Sequence, residues 1–127
     1  MKLNRIHQIA VHARDLDEAI TFYRDTLGAS YLGKYDPPGL AFLDFSGVRV
    51  LLEKTGAKST MYFRVDDIDS ACAELRSRGI EFEAGPHLIH RDDTGVFGKP
   101  GEEEWMAFFS DPSGNNLALA TRRSAAG

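Results

Sequence analysis

The chain has 127 residues, 43% of them hydrophobic and 27% charged, proportions that fit one compact domain and exclude disordered and collagen-like classes. Its formal charge of −4 and pI near 5.5, with Lys and Arg scattered rather than massed in a stripe, argue against a nucleic-acid partner and leave a small neutral or anionic ligand open. The opening MKLNRIHQ lacks an apolar signal core, and no run approaches the roughly 20 apolar residues that cross a bilayer, so a cytoplasmic protein without a membrane partner is expected.

The first strand is expected at 5–13, where Ile9, Val11 and Ala13 alternate with Gln8, Ala10 and His12. A helix over 16–27 follows, because Leu16, Ala19, Ile20, Tyr23 and Leu27 recur at helical spacing between the acidic start DLDEA and Gly28. Strands at 29–35, 40–45 and 48–53 complete this stretch, the last two joined by a hairpin turn at Ser46-Gly47.

The pattern then repeats. DIDSA at 67–71 restates DLDEA 52 residues later, and Met61, Phe63 and Val65 stand where Ile9, Val11 and Ala13 stood. A strand at 60–65 and a helix over 67–78, with Ile68, Ala71, Cys72 and Leu75 on one face and Gly79 at its end, precede strands at 80–90, 104–110 and 115–121. Cys72 is the only cysteine, so no internal disulfide can form, and its place in the helical pattern reads as a small buried hydrophobe rather than a nucleophile. The expected fold class is α+β: one domain over 1–127, built from two strand–helix–three-strand modules at about 5–53 and 60–121.

Alternation assigns the side chains. If Ile9, Val11, Ala13, Met61, Phe63 and Val65 pack beneath the helices, then Gln8, Ala10, His12, Thr60, Tyr62 and Arg64 point to the other face, as do Arg49, Leu51, Glu53, Asn116, Ala118 and Ala120 of the last strands. This mixed face is either a lined ligand pocket or a polar outer sheet face. His7 alternates with the buried set and suits a structural or rim role. His87 and His90, three apart, fall on opposite faces of an uninterrupted strand and would not share one ion. His12 and His90 suit hydrogen bonding or proton transfer, or are simply solvated or satisfied histidines. The segment HRDDTGVFGKPGEEEW is either a lid whose Phe97 and Trp105 cover an apolar ligand or an ordinary mobile loop whose aromatics anchor it or meet a partner subunit.

The motifs QIAVHARDLDEAITFYRDTLG, MYFRVDDIDSACAELRSRGIEFE and WMAFFSDPSGNNLALA, with the duplication, resemble the vicinal oxygen chelate superfamily of glyoxalases, bleomycin-resistance proteins and extradiol dioxygenases. The resemblance implies two βαβββ modules forming a U-shaped mixed sheet around a cavity with the helices outside, and a homodimer. It further implies that the divalent-ion ligands of metal-dependent members would fall at Gln8, Leu51, Thr60 and Ala118. Leucine and alanine cannot coordinate, and a lone amide and a threonine hydroxyl are poor ligands, so no metal and no other cofactor is expected. His12 and Glu53 share a face, but His12 lies about 13 Å along the strand from Gln8 and would make a different site.

Two functions follow. The first is a metal-independent protein binding a small organic ligand through Gln8, His12, Arg49, Glu53, Thr60, Tyr62, Arg64, Trp105 and Asn116. The second is a glyoxalase-like enzyme of lyase or isomerase type, using a non-standard metal site or acid–base steps on a small oxygenated substrate, with His12, Glu53, Tyr62 or Arg64 as candidate groups.

Overall fold

The computed structural model describes residues 1–125. In chain order it has β1 (Gln8–His12), α1 (Leu16–Thr21) continuing as a π-helical turn (Phe22–Thr26), β2 (Ser30–Tyr35), β3 (Leu40–Phe45) and β4 (Val48–Glu53). The second set is β5 (Thr60–Arg64), α2 (Ile68–Ser77), β6 (His87–Asp92), β7 (Glu102–Ser110) and β8 (Asn116–Ser124). Two four-stranded mixed sheets result, ordered β1-β4-β3-β2 and β5-β8-β7-β6. The α+β class and the two βαβββ modules expected from the repeat are therefore present.

The two copies are built alike because their sequences say the same things at the same places. Asp15 and Asp67 hold extended backbone and cap their helices, accepting from the Glu18 amide at 3.0 Å and the Ser70 amide at 3.1 Å. The first strand of each module pairs parallel with the last, a pairing that needs an intervening crossover. The β3–β4 hairpin turns on Ser46 and Gly47 at φ 51° and 98°, the left-handed conformations that two-residue hairpin turns demand.

Contacts group the chain into two compact units, one of Met1–Ser59 with Asp111–Asn115, the other of Thr60–Ser110 with the chain from Asn116 onward. In the first, Val11, Leu43, Val50 and Leu52 are buried with Leu16, Ala19, Ile20 and Tyr23. In the second, Ala107, Phe109, Leu117 and Leu119 are buried with Ile68, Cys72 and Leu75. Burial pushes the Cys72 thiol pKa up, the direction that disfavours a thiolate.

The five-residue connection between β7 and β8 belongs to the first unit. The buried Asp111 carboxylate accepts from the Tyr23 hydroxyl at 2.6 Å, the amides of Ser113 and Asn115 at 2.9 and 2.8 Å, and Asn115 Nδ2 at 2.7 Å. Asn115 Nδ2 also donates to the His12 carbonyl, and its Oδ1 accepts from the Ser59 amide. Ser113 Oγ accepts from the Arg14 amide. Burial and then the Asp111 bond raise the Tyr23 hydroxyl pKa far above the usual tyrosine range.

Three expectations need correction. The helix expected over 16–27 is α-helical only to Thr21, and the π-helical turn carries the rest. The strand expected over 80–90 begins at His87, since Gly85 and Pro86 interrupt the ladder; upstream, Phe82 instead packs its ring 5.3 Å from Phe109. Ile9, expected under the helix, is 40% exposed because β1 is an edge strand of its sheet.

Candidate functional site

On the first sheet, the register aligns three rows of side chains on the face away from α1. Gln8 lies beside Arg49 and Arg49 beside Asp44; Ala10, Leu51, Phe42 and Gly33 form the second row; His12, Glu53, Leu40 and Tyr35 form the third. Sequence alternation placed Gln8, Ala10, His12, Arg49, Leu51 and Glu53 on one face, and the pairing puts them there.

Arg49 organises this face. Its Nε donates to Gln8 Oε1 at 2.7 Å, its Nη2 lies 3.2 Å from His7 Nε2, and its guanidinium sits over the Phe42 ring, 5.4 Å from the centroid. A planar cation is held by an amide, an imidazole and an aromatic face at once. His7 is thus exposed and meets Arg49 instead of turning under the helix. Beside it lies an open cavity of about 390 Å³ lined by Leu32, Gly33, Tyr35, Phe42 and Arg49. Tyr35 meets the Phe42 ring edge-on at 5.9 Å. A register shift between Tyr31 and Gly33 carries Gly33 onto this face opposite Phe42.

At the far end of the same face, His12 and Glu53 are register partners and both half-buried. His12 Nδ1 is buried with no hydrogen-bond partner among the described residues.

On the second sheet, the rows away from α2 run Thr60–Asn116–Ser110, Tyr62–Ala118–Phe108 and Arg64–Ala120–Met106–His87. Thr60, Tyr62, Arg64 and Asn116 are exposed and Ala118 is buried; the Tyr62 ring lies 6.4 Å from Phe108. A register shift between Leu88 and His90 pairs His87 with Met106 and His90 with Glu104. The two histidines therefore share a face, contrary to what spacing alone implies. Trp105 stands on the opposite face, in the row of Thr121, with Arg123 over its ring at 4.0 Å and its Nε1 donating to Glu103.

The segment after β6 is tied down rather than loose. Asp92 is buried; its carboxylate accepts from the Val96 and Phe97 amides at 2.8 and 2.9 Å and from Arg122 at 2.9 Å, and Arg122 also reaches Glu102. Burial alone would push this carboxyl up, but the two amides and the guanidinium outweigh it and hold its pKa below the usual carboxylate range. Phe97 itself remains exposed, with His90 edge-on to its ring at 6.3 Å.

Sequence reasoning missed Leu32, Gly33, Tyr35 and Phe42 as lining residues. The alternation of LAFLDF over 40–45 already places Leu40, Phe42 and Asp44 on one side, but the register shift that brings in Gly33 leaves no mark in the sequence. Among the described residues no three His, Cys, Asp or Glu side chains gather as metal ligands would.

Two modules of identical strand order, each a mixed sheet with one face under a helix and the other open, define a duplicated βαβββ fold. The model of the Glyoxalase/Bleomycin resistance protein/Dioxygenase superfamily matches residues 5–119, and the chain belongs to that superfamily. A glyoxalase/bleomycin resistance protein/dioxygenase from Alicyclobacillus acidocaldarius is similar at 26% identity and TM-score 0.69, over 93% of this chain and 91% of that one. Lactoylglutathione lyase from Agrobacterium tumefaciens is similar at 22% identity and TM-score 0.70, over 93% of each chain. TnmS3, an antibiotic binding protein from a Streptomyces species, is similar at 23% identity and TM-score 0.69, over 97% of this chain and 99% of that one. The last two likenesses concern the fold. No curated protein matches the chain. No helix among the described residues is long and apolar enough to cross a membrane.

Proposed function

We propose that the chain is a metal-independent binding protein of this superfamily that holds a small organic ligand against the open face of its first sheet. The observation that carries this reading is the bond from Arg49 Nε to Gln8 Oε1. The one oxygen donor that the first module offers at the positions of the family's metal ligands is engaged by a fixed cation, which repels a divalent ion. Leu51 at the other position of that module is buried and apolar. In the second module Ala118 has no donor atom and Thr60 only a hydroxyl, so the donor set does not fit the family's ion. The cavity of about 390 Å³ supplies two aromatic rings, an aliphatic side chain and one charged group, as small-molecule sites do.

The test is the metal content of the natively purified protein, followed by thermal-shift screening of small molecules. Less than stoichiometric metal, with an unfolding midpoint unmoved by chelator and raised by organic ligands, is the expected result. A stoichiometric ion removable by chelator overturns the reading. The same proposal takes the chain as a single cytoplasmic domain that forms a homodimer, which sedimentation equilibrium checks.

One observation favours a second reading, acid–base chemistry on an oxygenated substrate. His12, whose Nδ1 has no partner among the described residues, is the register neighbour of Glu53, and an imidazole and a carboxylate on one face are the kinds of group that acid–base chemistry uses. Loss of turnover in His12→Gln with ligand affinity retained supports that reading.

A further inference from the structure

We infer that the ligand of the first sheet is a planar aromatic oxyanion, a carboxylate or phenolate, whose charged oxygens bind the outer edge of the Arg49 guanidinium while its ring packs against Phe42 and Tyr35. This inference rests on the proposed binding function and adds the chemical class of the ligand.

The charge follows from what Arg49 lacks. A guanidinium carries five N–H donors; Gln8 takes one and His7 faces another, which leaves Nη1 uncommitted among the described residues. Among the described residues no carboxylate forms an ion pair with Arg49, although eight other Lys and Arg side chains do find one. Asp44, its register neighbour on the same face, accepts instead from the Gly47 amide. The cation is therefore held rigidly at the rim of a cavity with its outward donors unspent, the arrangement that recognises a carboxylate or phenolate oxygen. The same charge disfavours a cationic ligand in that cavity.

The ring follows from the wall. The Phe42 and Tyr35 rings are inclined at 74° with centroids 5.9 Å apart, and Leu32 completes an apolar side. Such a corner takes a flat ring with edge-to-face contact, and the cavity volume suits a molecule of one or two rings. Arg49 thus provides at Gln8 a permanent positive charge for ligand oxygens, where metal-dependent relatives are expected to use an ion.

The test titrates the ¹⁵N-labelled full chain with three molecules that share a ring and differ in charge: naphthoate, naphthalenemethanol and naphthylmethylammonium. Naphthoate is expected to shift the amides of Leu32, Gly33, Phe42 and Arg49 and to bind at least about tenfold tighter than the alcohol, with the ammonium weakest. Its advantage should shrink as salt is raised. Arg49→Gln should erase the preference for naphthoate over the alcohol, and Arg49→Lys should retain part of it. Equal binding of naphthoate and the alcohol by the native chain, or an unchanged preference in a folded Arg49→Gln, overturns the oxyanion assignment and leaves the binding function standing. If none of the three moves these amides, the cavity itself is not a binding site for such rings, and both this inference and the proposed location of binding fall. Should Arg49→Gln lose its dispersed spectrum, the native charge series and Arg49→Lys decide the matter.

Discussion

Two buried or half-buried polar contacts decide what individual residues do here. Gln8 stands where metal-binding relatives are expected to carry histidine, yet its oxygen is committed to Arg49. Gln8→His alone is therefore expected to bring no stoichiometric, high-affinity Zn²⁺ uptake by calorimetry, because the neighbouring guanidinium remains and Leu51 still has no donor. The second contact is Tyr23 to Asp111. Tyr23→Phe removes a buried bond to a carboxylate and is expected to cost about 2 kcal/mol in urea unfolding. The raised Tyr23 pKa adds a pH dependence. Its contribution to stability is complete below the ordinary tyrosine range, near pH ~10, and is lost as pH rises above that; the phenylalanine variant should lack that part of the alkaline fall. The side-chain directions of Gln8, His12, Arg49 and Glu53 were legible because strand period two needs only local sequence. Their partners were not, since the Gln8–Arg49 bond depends on which residue of β4 faces which residue of β1, a choice made by tertiary packing.

At the level of elements, the helices and their caps could be read directly: an Asp at each start and a Gly after each end are local chemistry. What escaped were the π-helical turn that ends the first helix, the late start of β6, the register shifts and the loop anchoring. The shift within β6 moves His90 onto the face of His87, and the segment that follows reads from its Gly and acidic content as mobile although Asp92 fastens it. Asp92→Asn is expected to lower hydrogen-exchange protection of the Val96 and Phe97 amides while leaving α2 protected. Because the folded Asp92 pKa is lowered, the native protein should hold this protection above the ordinary carboxyl range, near pH ~4, and lose it as pH falls through the lower folded value. Protection that persists unchanged in the variant would show that other contacts fasten the segment.

At the scale of the molecule, duplication was the most legible feature, since D-[LI]-D-x-A and the preceding alternation recur with one offset. The two halves of the sequence are nevertheless not the two units of the structure. The first unit requires Asp111, Ser113 and Asn115, which bond Tyr23, Arg14, His12 and Ser59. A fragment ending at Ser59 keeps Tyr23 but loses its hydroxyl's partner, and at that length it has little core to offset the loss. It is expected to show no cooperative thermal transition and a collapsed amide spectrum; a folded, cooperative fragment would show that the connection is dispensable.

The same connection limits how such a chain can change through inheritance. A duplicated gene begins with interchangeable halves, and here the turn encoded in the second half has become a structural part of the first. Recombination that imports a second half from a relative loses the Tyr23 bond unless the donor's turn also supplies a carboxylate there. The repeat that is so visible in the sequence has ceased to be modular.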